Sequence, residues 1–552
     1  MPGHYNEKSD FLFVPLGGSS EIGMNLNLYA VNGKWLMVDL GITFAGENLP
    51  GIDVILPDMG FIKARKKNLV GLVLTHAHED HIGAVPYLWE ELRCPIYATP
   101  FTAYLVEAKL KEKGLFEDAP VTIINDYEFF DLNPFRVRYV PLAHSIPEGH
   151  GLEIETEKGR VFHTGDWKLD PGTSIAEPAT ELELKALGKK GVLAMVGDST
   201  NVLNDFSSPP EHSIKNNILE LVKAQKGRVV VTTFASNVER LETIGEVADF
   251  SGRHLVLLGR SMHRITNAAR ETGYLGNFPP LVKEKEAGYL PKDKVLILCT
   301  GCQGEMRAAL NGLAEDVNKH IALSRGDTVI FSSKIIPGNE KQIYSLINKL
   351  VLKGVHVITE KDASIHVSGH PGRPEVTKMY QWIKPRAAIP VHGDALHIDA
   401  HATLAEELQV PNVFRVRNGS VIKLAPGSPE LVDEVESGYV VLDGKRQLGL
   451  KSNTLSERRR MMENGAVCVT IPLIAGQAQE PVIQAFGILC SDNDLELKSQ
   501  LYGLIKDETR GWSPKTEARS EALEEELRLA ILRLFRHETA KRPLISVRIT
   551  GI

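Results

Sequence analysis

Seven consecutive residues, 75–81, most constrain what this chain can fold into and do. They read Thr-His-Ala-His-Glu-Asp-His and directly follow an apolar strand predicted at 71–74. Three imidazoles and a carboxylate at the end of a rigid element are the nitrogen and oxygen donors that a first-row divalent ion needs. His76 and His78 point to the same side of an extended segment, whereas Asp80 and His81 fall at the following turn and can face a second ion.

Further candidate ligands follow other apolar strands. His144 comes after residues 136–142, Asp166 lies in the segment Thr-Gly-Asp-Trp, and His392 follows an apolar run that ends at residue 391. A carboxylate such as Asp166 can bridge two cations, and two cations about 3.5–4 Å apart are used for in-line attack on phosphorus. The sequence therefore predicts a site for two metal ions.

Composition excludes several classes of protein. The 552 residues include 43% hydrophobic and 24% charged residues, which are ordinary values for globular proteins and exclude a disordered or fibrous chain. The net charge of −7 argues against a surface that binds nucleic acid indiscriminately, although a local basic groove remains compatible with it. No signal peptide or membrane span is visible, and five dispersed cysteines suit a reducing compartment, so we expect a cytoplasmic protein without membrane contact.

The pattern of strand-like and helix-like segments divides the chain into domains. Short strand-like runs dominate residues 11–200, and strands alternate with longer helices from about 206, as in a parallel α/β unit. The histidine-dense texture returns near 363, which indicates that the second unit is inserted into the first. We therefore predict an α/β domain in two parts, 1–205 and 363–425, an inserted α/β domain at 206–362, a linker at 426–454 and a small α/β domain at 455–552.

Taken with Asp39, these motifs resemble, in order and context, the metallo-β-lactamase superfamily and its β-CASP nuclease branch. Further matching segments are similar to the bacterial ribonuclease J family: 17–23, 144–147, 164–166, 197–201, 233–237, 259–262, 326–339 and 366–370. The resemblance is specific over residues 11–450 and looser over 455–552. It implies an αββα metallo-β-lactamase sandwich, with the insert as a β-CASP domain and a small C-terminal α/β domain.

The resemblance also implies two Zn²⁺ ions per subunit. One set of ligands is His76, His78, His144 and Asp166. The other set is Asp80, His81, Asp166 and His392. Asp39 would orient one of these ligands, a role that metal sites commonly require. A histidine at the position of His392 accompanies RNA substrates in the β-CASP branch.

Other residues are candidates for catalysis and substrate binding. Asp80 belongs to the catalytic set, and His370 is a candidate proton donor to the leaving 3′ oxygen, because an imidazole can donate a proton near neutral pH. The resemblance implies a pocket for the RNA 5′ monophosphate or the adjacent nucleotide, formed by His366, Val367, Ser368, Gly369 and His370. In the insert, Ser236 and Asn237 are candidate substrate contacts.

The implied function is hydrolysis of RNA phosphodiester bonds, as a 5′-to-3′ exonuclease that prefers 5′-monophosphate ends and also as an endonuclease, in RNA maturation and decay. One alternative is a small-molecule lactam or thioester hydrolase on the same metal scaffold, against which the large insert speaks. Another alternative is a non-catalytic RNA-binding subunit, in which ligands are usually eroded. None of the ligands is missing from this sequence.

Several details depart from the family or rest on the resemblance alone. Glu239, Cys302 and Arg373 differ from the family pattern near the expected RNA channel. Candidates for a basic groove are Arg260, Arg264, Arg307, Lys334 and Arg373. The resemblance also implies a structural Ca²⁺ held by Asp443 with carbonyl groups near Pro50 and Ile52. It further implies a homodimer or homotetramer, with other RNA-decay proteins as partners.

Overall fold

The computed structural model describes residues 5–46, 48–170, 172, 178–336, 338–475, 477–489, 494–510, 512 and 517–551. The chain divides into two compact units. One comprises Met1–Thr43 and Leu56–Gly438, and the other comprises Phe44–Ile55 and Tyr439–Ile552. Every predicted zinc ligand lies in the first unit, whereas the residues of the predicted calcium site lie in the second.

The elements up to residue 198 are β1 (Phe11–Gly17), β2 (Ser19–Ser20), β3 (Leu26–Val31), β4 (Lys34–Val38), β5 (Thr43–Phe44), β6 (Val54–Pro57), α1 (Gly60–Lys63), β7 (Leu69–Val73), α2 (Glu79–Ile82), α3 (Val85–Leu92), β8 (Ile96–Ala98), α4 (Pro100–Lys113), β9 (Val121–Ile123), β10 (Phe129–Leu132), β11 (Phe135–Pro141), β12 (His150–Thr156), β13 (Gly159–His163), α5 (Glu181–Lys189) and β14 (Ala194–Asp198). The insert contains α6 (Lys215–Ala224), β15 (Val229–Thr232), α7 (Val238–Ser251), β16 (His254–Leu258), α8 (Arg260–Glu271), α9 (Glu284–Ala287), β17 (Val295–Cys299), α10 (Ala309–Ala314), β18 (Thr328–Phe331), α11 (Glu340–Leu352) and β19 (His356–Ile358). The first unit ends with α12 (Arg373–Ile383), β20 (Ala387–Val391), β21 (Gly393–Asp394), α13 (Ala395–Glu407), β22 (Asn412–Val413), β23 (Ser420–Ala425) and β24 (Glu430–Glu434). Short 3-10 helices lie at Lys66–Asn68, Glu211–Ile214 and Lys292–Lys294.

Two facing sheets form the main layer structure of the first unit. One sheet has the order β24-β23-β1-β3-β4-β7-β8-β9, and the other has the order β10-β11-β12-β13-β14-β20-β22. Their inner faces share one core, in which Phe13 and Val73 of the first sheet pack with Val137, Val196 and Ile389 of the second. Helices α5, α12 and α13 cover the outer face of the second sheet, and α4 packs against β8 and β9 of the first. This is the predicted αββα sandwich.

The insert is a parallel α/β domain, as its sequence pattern predicts. All strand pairs in its sheet are parallel, in the order β16-β17-β15-β18-β19. The strands are near-continuous apolar runs because helices bury both faces. Ile218 of α6 and Leu241 of α7 lie on one side, whereas Leu310 of α10 and Leu346 of α11 lie on the other.

The second unit contains β25 (Tyr439–Asp443), β26 (Arg446–Gly449), α14 (Asn453–Asn464), β27 (Ala466–Ile474), β28 (Gln477–Ala478), β29 (Val482–Phe486), α15 (Leu495–Thr509), α16 (Glu517–Thr539) and β30 (Leu544–Gly551). Strand β27 pairs antiparallel with β29 and parallel with β30. Leu501 of α15 and Leu527 of α16 pack on this sheet. No helix among the described residues combines the length and the apolar character that crossing a bilayer requires.

The residues predicted as a linker, 426–454, contain three strands. Strand β24 extends the sandwich by pairing with β23, and β25 pairs with β26 in the second unit. The second unit also takes in Phe44–Ile55, a segment inside the predicted first domain. Buried Ile52 packs there with Val441 and Leu455. The sequence did not indicate this because a single buried isoleucine in a turn-rich segment has no periodic pattern.

A buried ion pair ties together the places where the chain enters and leaves the insert. Arg240 of α7 is fully buried, and its Nη2 donates to Oε2 of Glu211 at 3.0 Å while its Nε donates to Oε1. Its Nη1 donates to the carbonyl oxygens of Ser332 at 2.9 Å and Ile365 at 3.5 Å. Since Glu211 lies on the segment that enters the insert and Ile365 on the segment that leaves it, the Arg240 guanidinium bonds to both connecting segments.

Replacing Glu211 by alanine leaves the Arg240 guanidinium buried and unpaired, so we expect a loss of about 3–5 kcal/mol of stability. Differential scanning calorimetry would show a lower Tm. The matched control is Glu315→Ala, which removes an exposed ion pair with Lys349 of 2.6 Å in the same domain and should leave Tm unchanged. Equal Tm values for the two variants would contradict the role of this pair.

His401 is a structural histidine on α13. Its Nδ1 lies 2.8 Å from Oγ of Ser199, and its Nε2 lies 2.9 Å from the hydroxyl of Tyr380. Burial lowers the pKa of His401 to about 4. Both ring nitrogens of His401 thus have oxygen partners within the fold.

The pKa of His401 predicts a pH-dependent stability. The folded state keeps the ring neutral, whereas the unfolded state takes up a proton below about pH 6.5. Stability is therefore lost as the pH falls from 6.5 towards 4, by up to about 1.4 kcal/mol per pH unit for this group. In a series of Tm measurements against pH, His401→Gln should remove this part of the slope. Parallel curves for wild type and variant would exclude it.

Candidate metal centre

The backbone after β7 folds so that its histidines converge. His78 is extended, with φ −68° and ψ 151°, and its carbonyl accepts from the amide of His81 at 3.0 Å as α2 begins. The extended part places His76 and His78 on one side, and the helical turn brings Asp80 and His81 back towards them. Gly41 permits the close approach, because a Cβ there would lie 1.7 Å from the carbonyl oxygen of Asp80.

The first predicted ligand set is assembled in the structure. Nε2 of His76 and Nε2 of His144 each lie 3.1 Å from Nδ1 of His78. Both Nε2 atoms lie 3.7 Å from Oδ2 of Asp166. The four donor atoms all lie within 4.8 Å of one another, so they surround one common position.

The second predicted set lies beside the first. Nε2 of His81 is 3.5 Å from Oδ2 of Asp80 and 3.3 Å from Oδ2 of Asp166. Nε2 of His392 is 3.2 Å from Oδ2 of Asp80. These four residues also offer donor atoms within 4.8 Å of one another. Asp166, which is 2% exposed, belongs to both sets.

The donor separations fit tetrahedral metal coordination. Four ligands that are each 2.0–2.1 Å from a zinc ion lie about 3.3–3.4 Å from one another. Seven of the separations within the two sets run from 3.1 to 3.7 Å, and all lie within 4.8 Å. Imidazole nitrogens and carboxylate oxygens are donors that suit such an ion. The residues present therefore fit two divalent ions that share Asp166.

Asp39 fixes the orientation of His81. Its Oδ2 lies 2.7 Å from Nδ1 of His81, which leaves Nε2 turned towards the second set. Asp39 also accepts from the amide and the hydroxyl of Thr75, both at 2.8 Å, and Oγ1 of Thr75 lies 3.0 Å from Nδ1 of His76. The structure thus places Asp39 where it can orient a ligand, as the sequence analysis expected.

The outward nitrogens of the other ligands are held in the same way. Nδ1 of His144 donates to the carbonyl oxygen of Gly369 at 2.7 Å. Nε2 of His78 lies 3.1 Å from Oγ of Ser236, which belongs to the insert. An oxygen partner on the outer nitrogen fixes the tautomer and the direction of the ring, so the insert helps to aim a ligand of the sandwich domain.

Burial and nearby carboxylates shift the pKa values of the histidines in opposite directions. Burial lowers the pKa of His76 and His144 well below the ordinary value and that of His78 to about 4. Burial also opposes protonation of His392, but the carboxylates of Asp166, Asp80 and Asp198 together outweigh it and raise the pKa to about 10. The first set therefore offers neutral nitrogens, and a metal in the second would displace a proton.

His370 lies beside both sets and is paired with Asp198. Its Nδ1 is 2.7 Å from Oδ2 of Asp198, and its ring centroid is 5.1 Å from that of His144 and 5.6 Å from that of His392. Burial opposes protonation of His370, but the Asp198 carboxylate raises its pKa. The sequence analysis gave Asp198 no role, although it ends a buried apolar strand just as Asp39 follows one.

Backbone packing fixes the segment 366–370. Val367 is buried, and Oγ of Ser368 accepts from the amide of His370 at 3.1 Å. Gly369 has no room for a side chain, because a Cβ there would lie 2.8 Å from Oγ of Ser145. Glycine is thus required where this segment crosses the loop that carries a metal ligand.

His366 lies in a positively charged environment. Burial and the charges of Arg240, Lys334 and Lys168 together lower its pKa to about 3, so the ring is neutral. Two of these cations already have carboxylate partners, since Arg240 is paired with Glu211 and Lys168 lies 2.8 Å from Asp170. Lys334 is exposed.

Other predicted contacts are placed differently. Oδ1 of Asn237 accepts from the amide of Arg240 at 2.9 Å, so this residue caps α7. Arg264 of the predicted basic groove lies 3.7 Å from Glu79. Arg373 pairs with Glu407 at 2.5 Å. These partners already engage the side chains that the sequence analysis offered to substrate.

Both oxygens of Asp443 are occupied by arginine. Nη1 and Nη2 of Arg458 donate to Oδ1 and Oδ2 at 2.8 Å, and Arg446 donates to Oδ2 at 2.8 Å. Two guanidinium groups neutralise this carboxylate, which disfavours a cation there. The calcium site with Pro50 and Ile52 stays a prediction.

Four family models match the chain. They are the metallo-β-lactamase superfamily over residues 25–193, the ribonuclease J β-CASP domain over 226–350, the Zn-dependent metallo-hydrolase RNA specificity domain over 354–414 and the ribonuclease J C-terminal domain over 453–552. Their order matches the interrupted sandwich, the insert and the second unit described above.

Curated relatives agree with these models over the whole length. Ribonuclease J from Sinorhizobium meliloti is 40% identical over 99% of this chain and 98% of its own. The chain belongs to the ribonuclease J family. Another ribonuclease J family member, ribonuclease J 1 from Streptococcus pyogenes, is 37% identical over 82% of this chain and 81% of its own. Ribonuclease J from Corynebacterium glutamicum is 34% identical over 96% of this chain and 74% of its own.

A solved structure shares the fold of this ribonuclease J family chain at low identity. It is described as a protein of unknown function from Enterococcus faecalis V583, with a TM-score of 0.52 and 17% identity. The match covers 75% of this chain and all of that one. At this identity the likeness extends to the fold alone.

Asp39→Asn tests how the second ligand set is aimed. Asparagine keeps the size of the side chain but loses the negative charge and one of the two oxygens that contact His81 and Thr75. We therefore expect metal affinity to fall about 10–100-fold. Competition with a coloured chelator measures this. Asp327→Asn is a control, since Asp327 is equally buried but accepts amides within the insert. Unchanged affinity in Asp39→Asn would contradict the orienting role.

Proposed function

We propose that this chain hydrolyses RNA phosphodiester bonds with two zinc ions, as a 5′-to-3′ exonuclease that prefers 5′-monophosphate ends and also cuts internally. The observation that carries the proposal is the pair of donor sets sharing Asp166 beside the segment 366–370. The RNA specificity model matched over 354–414 spans that segment and His392. Its biological role would be RNA maturation and decay in the cytoplasm.

Two zinc ions in these sets would activate a water molecule and neutralise charge on the phosphoryl oxygens. The residues around them keep that chemistry in place. Asp39, Ser236 and the carbonyl of Gly369 hold the outer nitrogens, so the ligands need no rearrangement when a phosphate arrives. Such preorganisation accounts for much of the rate enhancement of many enzymes.

His370 supplies the proton that the leaving 3′ oxygen needs. Asp198 holds Nδ1, which turns Nε2 away from the carboxylate, and it raises the pKa of His370, which favours the protonated ring. A general acid of this kind contributes about 10²–10⁴-fold to a rate. Asp198 is therefore a positioning residue for His370.

The preference for a 5′ monophosphate is the one that the family resemblance implies for the segment 366–370. Lys334 is exposed near His366, while the buried Lys168 and Arg240 are paired with Asp170 and Glu211. An exposed cation beside this segment is compatible with a terminal phosphate. An RNA end held at this segment lies next to the donor sets, which gives cleavage from the 5′ end.

A lactam or thioester hydrolase on the same scaffold is the competing function. The match to an RNA specificity domain and the contact of Ser236 with His78 favour RNA, because the insert takes part in building the site. The predicted assembly into a homodimer or homotetramer stays a proposal, as do partners among RNA-decay proteins.

Cleavage of one RNA with a 5′ monophosphate, triphosphate or hydroxyl tests the function directly. With zinc-loaded protein we expect fast release of mononucleotides from the monophosphate form and slow internal cleavage of the other two. Asp80→Asn and His76→Ala should abolish both activities, because each removes a metal ligand.

His254→Ala serves as the control variant, since His254 is an exposed histidine at the start of β16, and it should cleave normally. Wild-type rates in Asp80→Asn, or rapid thioester turnover without RNA cleavage, would overturn the proposed function.

A further inference from the structure

A loop that follows β14 packs its backbone and polar side chains against the segment that ends at His370. Oγ of Ser208 donates to the carbonyl oxygen of His370 at 2.6 Å, and Nδ2 of Asn201 lies 3.4 Å from the same oxygen. The amide of Arg373 donates to the carbonyl of Asn204 at 2.8 Å. Residues 201–208 therefore lie beside the C-terminal end of the segment 366–370.

Phe206 lies in the middle of this loop and leaves its ring in solvent. A Cβ at Gly372 would lie 1.9 Å from the carbonyl oxygen of Phe206, so the backbone of this loop is in close contact with Gly372, two positions after His370. The side chain itself is 82% exposed. Ser208 is two positions after Phe206, so their Cα atoms are at most about 7 Å apart. The fold thus gains little from this ring, and the loop that carries it contacts the backbone of His370 through Ser208.

We propose that the Phe206 ring stacks on the base of a nucleotide that flanks the scissile phosphate. The inference rests on the proposed function, because it assigns part of the RNA subsite of the same centre. Single-stranded RNA is held largely by bases stacked on aromatic side chains, since every base has a π-face. The chain has a net charge of −7, so its surface as a whole is not basic. Stacking would therefore supply affinity for RNA that overall charge does not.

The test combines a side-chain change with removal of a base. Phe206→Ala should raise KM for a 5′-monophosphorylated RNA about tenfold, within the range for a lost stacking contact, with kcat within about twofold. Phe206→Trp should restore KM. RNA carrying an abasic residue at one of the two nucleotides flanking the cleaved bond should bind wild type as weakly as it binds Phe206→Ala, because the stacking partner is gone.

Two controls separate this inference from the proposed function. Phe250→Ala removes another exposed ring, 61% exposed and at the end of α7, and should leave KM unchanged. Hydrolysis of bis(p-nitrophenyl) phosphate, which has no base, should be equal in all variants. An unchanged KM in Phe206→Ala, or an equal loss on the small phosphodiester, would overturn the stacking role. Failure of wild type itself to cleave RNA would instead overturn the proposed function.

Discussion

One buried carboxylate, Asp166, organises the centre of this molecule. An ionised group 2% exposed is costly unless charged or polar partners surround it. Its oxygens lie 2.8 Å from His392, 3.3 Å from His81 and 3.7 Å from His76 and His144. The contacts that stabilise the carboxylate also bring these four histidines together, so the electrostatic requirement of the fold and the metal site are met by one arrangement.

The seven-stranded sheet explains why distant residues meet there. Strands β13, β14 and β20 are adjacent and parallel, with Asp198 paired in register with Val391. Carboxyl ends of parallel neighbours share one edge of a sheet, so Asp166 after β13, Asp198 at the end of β14 and His392 after β20 arrive together. His392 adopts a left-handed φ of 52°, a conformation that costs about 1–3 kcal/mol. Its amide donates to Gly18 at 2.6 Å, which helps to hold it there.

The metal ligands could be predicted from the sequence because each follows a buried apolar strand, and the spacing in 75–81 makes a chance cluster improbable. The pattern of strands and helices likewise predicted the sandwich and the parallel insert. The contact between Ser236 and His78 could not be predicted, since it depends on how the insert folds back on the sandwich. Asn237, in the same matching motif, caps α7 through its Oδ1, a role that the motif did not indicate, and its contact with substrate stays a prediction. The association of Phe44–Ile55 with the second unit also has no local signal.

The chemistry proposed for the site depends on the two donor sets that Asp166 joins. The most direct measurement is anomalous X-ray scattering at the zinc edge from crystals of the zinc-loaded full chain. We expect two peaks about 3.5–4 Å apart, one among His76, His78 and His144 and the other among Asp80, His81 and His392, with Asp166 touching both. A single peak, or peaks away from Asp166, would contradict it.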